Sequence, residues 1–158
     1  MPATFDLIQT GSITTFSNIP QTYTDLVLVI DYITGSGNLR TRARLNGTTD
    51  SHPQSYIFAA SSTIVSSTVG GATEIPLSFN NIGEQYGAAS VLEIFNYTSS
   101  LKKGWIAYST NVTTGAASEN VLVGGNWDNT SAITSIVISA SQGSISTIKS
   151  SLYGILRA

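Results

Sequence analysis

Cysteine is absent from the 158 residues, and histidine occurs once. No disulfide, thiolate metal site or cysteine nucleophile can form, and a single histidine leaves no zinc set. Charge is scarce: charged residues make up 10% of the chain, against about 25% in ordinary domains. A formal net charge of −2 offers no basic face, so no nucleic-acid partner is expected. Long hydrophobic runs are missing too. The longest, Leu26–Ile30, is far short of a membrane span, and no membrane partner is expected. The opening MPATFDLIQTGSITTF has neither a positive region nor a continuous apolar one, so no secretory signal is expected. Without secretion, the Asn-x-Ser/Thr triplets at Asn46, Asn96, Asn111 and Asn129 read as chance in a hydroxyl-rich chain. Finally, no stretch spaces apolar residues as a helix requires.

What the chain does have is serine and threonine, about a quarter of all residues. Such a surface is neutral and carries few long side chains, so it can be buried against a neighbour at low entropic cost. Strand signals fill the sequence: short runs rich in Val, Ile, Thr, Tyr and Phe, separated by Gly, Asn, Asp and Ser. They predict strands over Thr4–Gln9, Ser12–Ser17, Asp25–Thr34, Leu39–Asn46, Ser55–Ala60, Glu74–Phe79, Ala89–Tyr97, Lys103–Asn111, Asn120–Trp127, Ser135–Ser139 and Ile148–Leu156. Turns are expected at Thr34–Asn38 and Asn46–Asp50, and a loop or irregular edge at Ser61–Thr73. Pro76, inside a run, marks an edge strand. The fold class expected is all-β: a single domain over 1–158, an antiparallel β-sandwich of jelly-roll type with about ten short strands. The final run is expected to be an interior strand, tying down the C-terminus.

Candidate chemistry is sparse. The one histidine, His52, sits beside Asp50 and Ser51 and reads as a solvated turn residue rather than a general base. The nine acids form no D-x-D or E-x-x-E pair of the kind that glycoside hydrolysis suggests. Trp127–Ser131 is the best calcium loop and a poor one. The glycine pairs in VGGAT and VGGNW lack the lysine and following helix of a phosphate loop. No catalytic residue, metal ligand or cofactor is therefore assigned, and no enzyme is expected. Two binding features stand out. In LRTRARL, Leu39, Thr41, Ala43 and Leu45 face one way and Arg40, Arg42 and Arg44 the other. The three guanidiniums, spaced roughly 6.5–7 Å apart along the strand, form either a dock for a partner's carboxylates or a solvated face paired with residues such as Glu93 or Asp31. Trp105, Tyr108 and Trp127 are either a stacking platform for sugars or core.

Four segments, ITTFSNIPQTYTDLVLV (Ile13–Val29), LRTRARLNG (Leu39–Gly47), WDNTSAITSIVIS (Trp127–Ser139) and SLYGI (Ser151–Ile155), resemble in this order a group of small β-rich virion proteins of tailed bacteriophages. The resemblance implies an F-x-x-IP-x-x-Y-x-DL opening, an R-x-R-x-NG hairpin, an AI-x-SI strand and a terminal LYGI. It departs from the group in its short approach to the last strand, which holds Lys149, and in being nearly the whole chain rather than the tip of a fibre. The function it implies is a decoration or cement protein on the capsid exterior, bound to the major capsid protein through many weak contacts. The alternative is a tail-fibre or baseplate adhesin that binds host surface polysaccharide. Self-association as a homotrimer at a local three-fold is the expected assembly, with Pro2–Thr10 as a candidate anchoring arm.

Overall fold

Period-two patterning with turn residues between the runs leaves the chain only one way to satisfy its backbone, which is to pair strand with strand. The computed structural model describes residues 4–60, 63–78, 88–112 and 118–157. It is all-β, with no helix among the described residues. The strands are β1 (Thr4–Gly11), β2 (Thr15–Phe16), β3 (Asp25–Leu45), β4 (Gln54–Ala60), β5 (Thr63–Val69), β6 (Ile75–Pro76), β7 (Ala88–Ile94), β8 (Lys103–Val112), β9 (Ser118–Trp127) and β10 (Ile136–Leu156). Every pairing is antiparallel. The order across the sheet is β1-β10-β3-β7-β8-β9-β4-β5, with β2 added to β10 and β6 to β3. The sheet curls into a half-barrel, a sandwich-like arrangement.

Two strands of 21 residues, β3 and β10, run side by side through this sheet. The sequence pattern predicts each of them as two short strands. Thr34–Asn38 is not a turn: the ladder continues through it with register shifts from Ala140 to Thr147. Gly37 (φ 67°) and Gly143 (φ 68°) face each other there and absorb the kinks that a side chain would resist. Bulges of this kind let a long ribbon bend and pass from one layer to the next. Beyond the bend, β2 and β6 flank it; before it, β1 and β7 do. The buried residues of the two halves of β3, Leu26, Leu28 and Ile30 on one side and Leu39, Ala43 and Leu45 on the other, belong to a single hydrophobic cluster with Leu92, Trp105 and Leu152. Ser61–Thr73 is also corrected: its described part holds a regular strand, β5, paired residue for residue with β4. Residues 4–10 of the candidate arm are likewise sheet, paired with β10; its residues 2 and 3 lie outside the described residues. β10 lies between β1 and β3, so the last strand is interior as expected.

The four distinctive segments are tied to one another. Asn46, left-handed at φ 53°, ends β3. Its side chain donates to Ala132 O (2.9 Å) and accepts from the backbone N–H of Thr134 (2.8 Å) and Ser135 (3.1 Å), so the NG turn grips the AITSI segment. Ile19 N–H donates to Thr134 O, and the Gln21 side chain to Ile133 O, joining the IP segment to the same place. Thr24 N–H donates to Ile155 O (2.8 Å), joining the first segment to SLYGI; beside it Asp25 accepts from Asn96 N–H (2.8 Å) and pairs with Arg157 (2.5 Å). Replacing Asn46 by alanine removes three hydrogen bonds to backbone, two of them partly buried, and leaves a strained φ. A loss of about 2–4 kcal/mol is expected. Glycine at 46 should recover about 1 kcal/mol of it by relieving the backbone alone. Urea midpoints for the two variants decide this, and equal midpoints would contradict it.

Candidate interaction surface

The Arg stripe keeps its alternation: Leu39, Thr41, Ala43 and Leu45 are buried, and Arg40, Arg42 and Arg44 lie on the other face, half-covered. Its partners differ from those expected. Arg44 pairs with Glu74 at 2.8 Å, not with Glu93 or Asp31. Arg42 donates to Thr41 O (2.9 Å) and to Ser78 O. Burial lowers the Arg42 pKa, Glu74 opposes that change and Arg40 adds to it. Arg40 Nε is buried with no hydrogen-bond partner among the described residues. Two of the three guanidiniums thus hold β3 to the β6 segment, and a dock for foreign carboxylates would retain only Arg40 in full.

The sugar platform is corrected more sharply. Trp105 and Trp127 are core residues, 3% and 0% exposed, with no ring face left for a pyranose. They lie among other buried polar groups. Lys103 is fully buried; its Nζ donates to Ser131 O (2.6 Å) and sits 5.6 Å from the Trp127 ring centre. Desolvation lowers its pKa. His52 is not a solvated turn residue: it is fully buried, edge-on to Trp105 with ring centres 6.3 Å apart. Neither of its ring nitrogens has a hydrogen-bond partner among the described residues. Desolvation lowers its pKa to about 4, although Asp50 pulls the other way. The sequence hides both burials, because the covering residues come from distant strands. Among the described residues no three His, Asp or Glu side chains gather as metal ligands would.

Tyr108 alone of the three aromatics is exposed, and it sits in something larger. Register places Val29 of β3 opposite Val91 of β7, Val91 opposite Tyr108 of β8, Tyr108 opposite Leu122 of β9, and Leu122 opposite Ile57 of β4. Side chains directly opposite share a face, so one apolar row crosses five strands on the side away from the core. Ile57, Tyr108 and Leu122 are each about half exposed. The row lines a groove of about 690 Å³. A second groove of about 610 Å³ continues it over Ile106, Ser66 and Thr68 towards β5. The charge on the first groove's lining is Asp31, already paired with Lys149 at 3.5 Å.

Among the described residues that line it, the groove offers apolar and hydroxyl side chains and one carboxylate, Asp31. Exposed apolar patches framed by hydroxyl residues mark contact sites on soluble domains. Of this row the sequence reading singled out Tyr108 alone, because apolar residues on a strand's open face look no different in sequence from core. Compared with protein families, with curated proteins and with solved structures, the chain matches none.

Proposed function

We propose that the chain is a non-enzymatic structural protein of a phage virion, most specifically a decoration or cement protein on the capsid exterior that binds the major capsid protein. The observation that carries this reading is the open sheet face: an uncharged apolar row across five strands, ending at an edge strand exposed along its whole length. Surfaces of this composition gain by covering one another and lose little side-chain entropy in doing so. The resemblance of Ile13–Ile155 to small virion proteins points the same way, and the mutual gripping of its four segments gives those residues a structural purpose. Each contact is weak; repetition around a symmetric shell makes the sum strong. A tail adhesin that holds host polysaccharide is less well supported, since only Tyr108 of the three candidate aromatics is presented.

A cryo-EM map of intact particles from the phage that encodes this chain tests the proposal. Copies at symmetric positions on the outer capsid surface are expected. Copies on the tail alone, or none on the particle, would overturn it.

A further inference from the structure

The eight-strand order has two free edges, and they differ. Sheet edges that must stay alone are blunted by charge, proline, bulges or shortness. The β1 edge carries Asp6 and a register shift between Leu7 and Gln9. The β5 edge, TIVSSTV, has none of these devices. It bears no charge and no proline, pairs with β4 without a register shift, and is exposed at all seven positions. Ile64 is 75% exposed. Its β-branched composition favours strand pairing.

We infer that β5 is a self-recognition edge, pairing antiparallel with β5 of a second copy about a two-fold axis perpendicular to the sheet. The inference goes beyond the functional proposal: it takes the self-association expected from the sequence and assigns it to one strand. Three observations select a second copy as the occupant. A two-fold axis brings each segment against itself, so any charge on it would meet its own sign; β5 has no charge to repel. Each face of β5 also carries only apolar and small hydroxyl residues. Val65, Ser67 and Val69 lie opposite the core-side residues of β4, and Ile64, Ser66 and Thr68 opposite the groove side. Rotation about an axis perpendicular to the sheet keeps those faces, so with Ser66 opposite itself Val65 meets Ser67 and Ile64 meets Thr68, each apolar side chain against a small uncharged hydroxyl residue. The groove over Ile57, Ser66 and Thr68 runs to this edge, so pairing would join the grooves of two copies into one concave face.

The register follows. Facing residues must lie on the same side of the sheet, so a two-fold pair always places one residue opposite itself. Full overlap of Thr63–Val69 makes that residue Ser66. The edge is about 23 Å long at roughly 3.3 Å per residue. It is a smaller contact than the roughly 800 Å² per partner of a stable interface, so a concentration-dependent dimer is expected rather than a permanent one. The assembly is two-fold, in place of the three-fold expected from the sequence.

Sedimentation of the purified chain from micromolar to near-millimolar loading should show a reversible monomer–dimer equilibrium. Ser66→Lys, and separately Thr68→Pro, should abolish the dimer while circular dichroism and melting temperature stay those of the parent, because both positions are exposed. The cysteine-free background permits a second reading: Ser66→Cys under mild oxidation should give a covalent dimer, and Thr10→Cys on β1 should not. A monomer at every concentration, a trimer, or crosslinking at 10 but not 66 would overturn the inference. A parent chain that stays monomeric at every concentration and still decorates capsids would overturn it and leave the virion reading intact. A two-fold dimer absent from the particle would do the reverse.

Discussion

Replacing Gly154 by alanine is expected to lower stability by at least about 3 kcal/mol, and by valine to leave no folded protein at room temperature. Gly154 sits in β10 with neighbours on both sides, Asp6 and Leu26. A Cβ added there would fall inside the van der Waals envelope of three ring atoms of Tyr23. Backbone cannot retreat on either side, since both ladders bond along this stretch. The ring cannot simply swing out either, because Tyr23 packs against the core cluster. The glycine of LYGI and the tyrosine of IPQTY therefore form one packing unit, which assigns a cause to two segments that the resemblance could only place in order. A cycle of Gly154→Ala, Tyr23→Ala and the double variant tests this by urea unfolding. Tyr23→Ala removes the obstacle, so the double variant should be no less stable than Tyr23→Ala alone. Additive losses in the double variant would show that the clash is not the cause.

The same pair shows where sequence reading succeeds and where it stops. Strand identity was legible wherever one face is wet, as in Leu39–Leu45, because burial then alternates with period two. It failed at β5, where all seven residues are exposed and no alternation can be written into the chain. It failed again at Thr34–Asn38, where glycines that could have closed a hairpin instead relieve a bulge against Gly143. Side-chain partners were the least legible. The alternation of Arg40, Arg42 and Arg44 is visible in the sequence, but Glu74 and Ser78 reach Arg44 and Arg42 only because β6 adds to β3. Trp105 and Trp127 could be surface or core on composition alone. The sheet's curl decides, giving the core side to Trp105 and the open side to Tyr108, three residues later.

His52 should make the fold acid-sensitive well above the range in which carboxylates protonate. Its pKa is lowered from 6.5 to about 4 by burial. A base whose folded pKa lies below its unfolded value favours the native state in its neutral form. That stability is fully present above pH 6.5 and is lost as pH falls towards 4, because the unfolded chain takes up the proton first. Each tenfold difference in proton affinity between the two states is worth about 1.36 kcal/mol, so the loss approaches about 3 kcal/mol at pH 4. Below that, Asp50 adds a further loss of the same sign. Hydrogen bonds from Thr48 and Asn129 hold its pKa below the ordinary carboxylate value, so protonating it also favours unfolding. His52→Phe separates the two. A phenyl ring keeps the edge contact with Trp105 and removes two buried nitrogens that have no hydrogen-bond partner among the described residues. Deleting unpaired polar atoms while keeping shape costs little and can stabilise. The variant should match or exceed the parent at pH 7.5 and keep its urea midpoint nearly level down to pH 4.5, while the parent's falls steadily from pH 6.5. A parent midpoint that is flat across this interval, or a variant that falls in parallel with it, would show that His52 is not the titrating group.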